Sequence, residues 1–132
     1  MEDSISLTIH DAVRKSEFEA VKSILTSGSQ NVNDKDKFKR TPLHIAAWAG
    51  DHNMIELLLR FKADPSAIAL DGFTALHFAA QKENGALACE YLVKKSAKLL
   101  HAKISKGQKT ALHVAISKGN TEVVKKLLDL GI

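Results

Sequence analysis

Apolar residues recur along this chain in pairs of short runs with helical spacing. The run Leu43-His44-Ile45-Ala46-Ala47 is followed by a longer one, Met54-Ile55-Glu56-Leu57-Leu58-Leu59. The same pairing returns as Leu76-His77-Phe78-Ala79-Ala80 with Cys89-Glu90-Tyr91-Leu92-Val93, and as Leu112-His113-Val114-Ala115-Ile116 with Val123-Val124-Lys125-Lys126-Leu127-Leu128. A weaker first copy, Leu7-Thr8-Ile9-His10-Asp11-Ala12-Val13, precedes Ala20-Val21-Lys22-Ser23-Ile24-Leu25. Polar stretches such as Asn31-Val32-Asn33-Asp34 separate one pair from the next. The pattern predicts a unit of helix, tight turn, second helix and extended polar loop, repeated four times.

Local chemistry marks the ends of each helix. Thr41, Thr74 and Thr110 stand as N-caps, and Pro42 takes the first helical position, where its missing N–H costs nothing. Gly50 and Gly119 fall where a short first helix must close in a left-handed residue, and Gly28 and Gly131 follow second helices as stops. The alanine pairs allow close approach of neighbouring helices.

The three Thr-x-Leu-His-x-Ala segments are 33 and 36 residues apart and resemble the ankyrin repeat. The resemblance extends over about residues 5 to 132, as repeats 5–36, 37–69, 70–105 and 106–132, the last lacking its terminal hairpin. It implies an all-α solenoid of four helix-turn-helix units with projecting β-hairpin loops. Departures from the family pattern are local. Lys62 and Ser96 stand where the family has Gly after the second helix, and a left-handed non-Gly residue costs on the order of 1 kcal/mol. The third unit carries extra residues, expected near Asn84-Gly85-Ala86 and Leu99-Leu100-His101, with a longer or distorted hairpin.

The two ends differ in polarity. Thr8, His10, Asp11, Arg14 and Lys15 give the first unit a face suited to water, as in an N-terminal cap. The last unit keeps Leu112, Val114, Ile116, Val123, Val124, Leu127 and Leu128 with no polar cap after it. A monomer with an open C-terminal stacking face is expected. The chain is then a piece of a longer repeat protein, or stacks that end on something, or ends there naturally.

Composition narrows the classes. The 132 residues are 45% hydrophobic and 26% charged, the balance of a soluble globular protein. A single cysteine, Cys89, forms no intrachain disulfide, and no secretory signal or membrane-length apolar run is visible. The expected location is cytoplasmic or nuclear. The net charge of +4 is too small to name nucleic acid as the partner.

Catalytic and metal chemistry find no support in the pattern, so neither an enzyme nor a cofactor is expected. His10, His44, His77 and His113 occupy one repeat position, and neighbouring helices lie about 8–10 Å apart. Nitrogens sharing a zinc must come within about 3.5 Å, because each Zn–N bond is near 2.1 Å. Each imidazole is expected to hydrogen-bond loop backbone or its own Thr. Cys89 lies in an apolar stripe and reads as inert core. Gly107-Gln108-Lys109-Thr110 lacks the order of a phosphate loop and reads as hairpin followed by N-cap. Glu17/Glu19 and Asp34/Asp36 are expected to face solvent.

What remains is surface. The resemblance implies that the hairpin fingers and the ends of the first helices line a concave binding face. Carried over by position, that face holds Arg14 and Lys15; Lys37, Phe38, Arg40, Trp48 and Ala49; Leu70, Asp71, Phe73, Gln81 and Lys82; and Lys106, Lys109, Ser117 and Lys118. Eight of these are Lys or Arg and one is acidic, so the face should be electropositive. Phe38, Trp48 and Phe73 supply an aromatic anchor of the type enriched at interfaces. The expected function is a non-enzymatic protein-interaction module, an adaptor or scaffold, that takes an acidic or mixed acidic-apolar partner. The alternatives are an N-terminal targeting segment of a larger enzyme or channel, and nucleic-acid binding through the basic face. Asn33 also matches a hairpin position that some ankyrin repeats hydroxylate, beside the plainer reading of a turn-forming Asn.

Overall fold

The computed structural model of the chain describes residues 8–131. Residues 5–7, where the first expected unit opens, and Ile132, where the last closes, lie outside the described residues.

Helices α1 (Ile9–Arg14), α3 (Pro42–Ala49), α5 (Ala75–Ala80) and α7 (Ala111–Lys118) are the short first members of four pairs. Their partners are α2 (Phe18–Ser27), α4 (His52–Arg60), α6 (Ala86–Lys95) and α8 (Thr121–Asp129). The first helices pack in series, α1 on α3 on α5 on α7, and α4, α6 and α8 form a second layer behind them. The close inner packing follows from side-chain size. Ala46, Ala47, Ala79 and Ala80 are fully buried between first helices. Leu43, Ile55, Leu58, Leu76, Leu92 and Leu127 fill the space between the layers, forming one continuous core.

The helix ends are built by a reciprocal hydrogen-bonded box. The hydroxyls of Thr41, Thr74 and Thr110 accept from the backbone N–H of His44, His77 and His113 at 3.4, 3.3 and 3.4 Å. In return each Thr N–H donates to the Nδ1 of that same His at 2.9, 3.1 and 3.0 Å. Histidine thus takes the third-position role that Glu or Gln usually fills. Gly50 and Gly119 close their helices at φ of 70° and 72°, as the spacing predicts, and the first unit uses Ser16 at φ 56° for the same turn.

Lys62 is left-handed at φ 74°. Ser96 is extended instead, at φ −150°, because the chain leaves α6 directly into a 3₁₀ turn, Ala97–His101. One extra residue of the third unit lies between α5 and α6, since Ala86 opens α6 twelve residues after Thr74 whereas His52 opens α4 eleven after Thr41, and the 3₁₀ turn takes up the rest. It buries Leu99 and Leu100 against α6 and α7, so the insertion thickens the core rather than lengthening a finger. At the far end Ile116 and Leu128 stay 59% and 54% exposed, although their counterparts Ala47 and Leu59 are buried.

Candidate protein-interaction surface

The fingers are tight turns closed by short-range backbone bonds, with no strand among the described residues. Asp36 N–H donates to Arg40 O at 3.0 Å, Ala69 to Phe73 at 2.8 Å and Ile104 to Lys109 at 2.9 Å. Adjacent fingers are joined to each other: Leu70 N–H donates to Phe38 O at 3.2 Å, and Ser105 N–H to Asp71 O at 2.7 Å.

The repeated histidines hold these fingers to the helices. With Nδ1 accepting from the Thr N–H, the proton sits on Nε2. From there His44 donates to Ala67 O at 3.0 Å and His77 to Lys109 O at 3.1 Å. His10 Nε2 makes the equivalent bond to Arg40 O at 2.9 Å. The bonds of His10 and His77 cross to the loop that opens the following unit, whereas His44 holds the loop that follows α4 of its own unit. Burial pushes His44 down to about 4, and pushes His77 down as well. His10, expected on a water-facing surface, is therefore a half-buried latch.

Asp36 departs from expectation in the same way. It was expected to face solvent, yet its side chain is only 19% exposed and organises the first finger. Its carboxylate accepts from the N–H groups of Phe38 and Arg40, both at 2.9 Å, and from Arg40 Nε at 2.9 Å. Burial raises the Asp36 pKa, but the bonds from Arg40 and Phe38 outweigh it and the net shift is downward. The sequence signal was present: an acid four residues before Arg40, across a turn, is an Asx-type pattern. Asn33 is likewise committed. Its Nδ2 donates to Lys62 O at 3.3 Å and its Oδ1 accepts from Asp64 N–H at 2.8 Å, stitching two successive loops.

The expected binding residues separate into distinct places. Arg14, Arg40, Trp48, Ala49 and Lys82 line one notch of about 210 Å³, floored by Ile45. Phe73, Gln81, Lys109, Ser117 and Lys118 line a second of about 170 Å³, floored by Ile104 and Val114. Lys37 and Phe38 border a shallower groove with Arg14, Arg40, His10 and Asp11. Lys15, Leu70, Asp71 and Lys106 are exposed beyond these hollows.

The three expected aromatic anchors also divide. Phe38 lies under two cations, 5.3 Å from Lys37 Nζ and 4.9 Å from Arg40 Cζ. Trp48 is 46% exposed and leans on Phe78 at 6.4 Å, which in turn packs on Phe73 at 5.3 Å. Phe78, missed from sequence because it occupies a helical core position, joins Trp48 to Phe73.

Charge is less uniform than a count suggests. Arg14 is paired with Asp11 at 2.6 Å and Arg40 with Asp36 at 2.9 Å. Lys15, Lys37, Lys82, Lys106, Lys109 and Lys118 form no ion pair with a described acid. The free positive charge therefore sits on lysines. A further hollow on the outer layer, about 380 Å³ between α4 and α6, is lined by Glu56, Leu59, Arg60, Tyr91, Lys94 and Lys95.

Cys89 is fully buried and burial pushes its thiol up to about 12, which leaves no thiolate at neutral pH. Among the described residues no helix is long and apolar enough to cross a membrane.

Comparison with known proteins agrees with this architecture. The family model described as ankyrin repeats in three copies matches residues 9–101 and 70–132. The chain is 31% identical over 129 residues to the nuclear factor NF-kappa-B p105 subunit of Gallus gallus, covering 96% of this chain and 13% of that protein. It is 31% identical over 127 residues to the B-cell lymphoma 3 protein homolog of Mus musculus, covering 93% and 28%. It is 30% identical over 120 residues to the tyrosine-protein kinase Shark of Drosophila melanogaster, covering 91% and 13%. The chain thus spans between 13% and 28% of the length of these relatives. Repeat register, histidine-capped helices and these matches together show that the chain belongs to the ankyrin-repeat family.

Proposed function

We propose that this chain is a non-enzymatic adaptor or scaffold module that binds an acidic, partly apolar protein surface on its finger side. Ankyrin repeats mediate protein–protein interaction, and a rigid stack offers a long surface that needs little rearrangement. The observation that carries the reading is the exposed Trp48 beside an apolar notch edged by Lys82. Aromatic anchors in such settings dominate interface energetics, while rim lysines speed association and make it salt-sensitive. The expected location is the cytoplasm or nucleus.

The test is affinity capture from lysate at low and high salt. Wild type is compared with the Trp48→Ala, Lys82→Glu, Lys118→Glu triple variant, with folding checked by circular dichroism. A discrete acidic protein held by wild type at low salt and lost by the variant supports the reading. The same protein held equally by both defeats it.

A second reading is that the module targets a longer catalytic chain. It draws on the Shark match, in which the similar region is 13% of a protein named as a kinase. In that case the same surface would recruit the kinase-like or other catalytic part to its substrate. Fusion of this chain to a reporter enzyme should then concentrate the reporter on the captured partner.

A further inference from the structure

The two notches on the finger side hold the same register in different units. Ile45 lies four residues after Thr41, and Val114 four residues after Thr110. The intervening unit places Phe78 at this position, and its ring fills the space against Trp48 and Phe73. The result is two apolar hollows separated by an aromatic ridge. Each volume, about 210 and 170 Å³, is several times the roughly 30 Å³ of one water, so each admits one aliphatic side chain.

We propose that these notches read a single extended acidic peptide segment carrying two apolar anchors six residues apart. This rests on the finger side being the binding face. The notches are two units apart, and successive packed helices lie about 8–10 Å apart, giving a span of about 16–20 Å. An extended chain advances about 3.3 Å per residue and points alternate side chains to opposite faces. Anchors on one face must therefore be an even number of residues apart. Four residues reach only about 13 Å, and six reach about 20 Å.

The acidic character comes from charge. Lys82 edges the first notch, and Lys109 and Lys118 edge the second, each without an ion pair to a described acid. Acidic residues belong between the anchors, over Lys82, and beside the anchor that enters the Val114 notch. Like charges along the segment repel each other and favour the extended form that the spacing requires.

Twelve-residue peptides of Glu, Ser and Gly with two leucines test this. Their leucines are spaced four, five, six, eight or eleven residues apart, and a one-leucine peptide of equal charge is the control. Binding is read by anisotropy of the labelled peptide, and location by Trp48, the chain's one tryptophan. The spacing of six should bind about tenfold tighter than five, with Trp48 emission shifted. Ser117→Tyr, which fills the second notch without changing charge, should reduce that peptide to the affinity of the one-leucine control. Equal affinity at all spacings, still lost in Trp48→Ala, overturns the two-notch register and leaves the binding face intact. Tightest binding at eleven means a helical ligand and overturns the extended form. Affinity unaffected by both Trp48→Ala and salt overturns the binding face itself.

Discussion

Mild acid should loosen this stack, and His44 sets the size of the effect. The imidazole is 1% exposed, and its Nδ1 accepts from the Thr41 N–H at 2.9 Å. A proton on Nδ1 would face that N–H and break the bond. Burial already holds His44 down at about 4, against 6.5 for a free imidazole. The unfolded chain therefore binds the proton first, so stability is complete above pH 6.5 and is lost as pH falls toward 4. Linkage over these two values gives a loss of about 2 kcal/mol between pH 7 and 5. His77 is shifted in the same direction and adds to the loss. The shifted carboxylates Asp11, Asp36 and Glu90 act at lower pH, because their free values are 3.8, 3.8 and 4.5. Urea melts at pH 7, 6 and 5 isolate the histidines. With a urea dependence of about 1–3 kcal/mol per molar, the midpoint should fall by about 1 M. His44→Gln should show a shallower pH slope than wild type. A midpoint flat from pH 7 to 5, or an unchanged slope in His44→Gln, refutes the reasoning.

Other outcomes follow from single positions. Lys62→Gly should stabilise the fold by about 0.5–1 kcal/mol in thermal melts, because it relieves a left-handed lysine, while Ser96→Gly should not, since Ser96 is extended. Asn33→Ala should cost about 1–2 kcal/mol by removing the bonds to Lys62 and Asp64, read as a lower urea midpoint. Leu58→Ala, at a fully buried site between the helix layers, should cost about 2–5 kcal/mol in the same melt. Cys89 should resist a thiol reagent in the native state at pH 8 and react at once in denaturant.

The repeat architecture was legible because Thr, His and Gly recur at fixed offsets, each tied to a backbone requirement of one helix end. Thr41, Thr74 and Thr110 cap where the spacing places them, and Gly50 and Gly119 close their helices left-handed. The insertion was harder to place. Extra residues usually mean a longer loop, but two leucines in the segment make burial more favourable than extension. On the finger side, residue types showed which positions face outward but not which charges are already matched. Arg14 and Arg40 read as free cations until Asp11 and Asp36 are seen beside them. Phe78 and Val114 belong to helical apolar stripes, and only the differing bulk of their neighbours makes one a ridge and the other a floor.

The histidine latches also bear on how tightly the surface can bind. Two run forward, from a first helix to the loop that opens the next unit, His10 to Arg40 and His77 to Lys109, while His44 holds Ala67 in the loop after α4. Arg40 and Lys109, whose carbonyls are gripped, are themselves wall residues of the two notches. The backbone that carries those walls is ordered before any ligand arrives, so association need not give up loop entropy. Loss of the His77 imidazole, which does not line the notch, should therefore appear in ligand binding as a faster dissociation rate. Order in one unit is thus lent by the unit before it, and recognition at one end of the stack depends on packing further back along the chain.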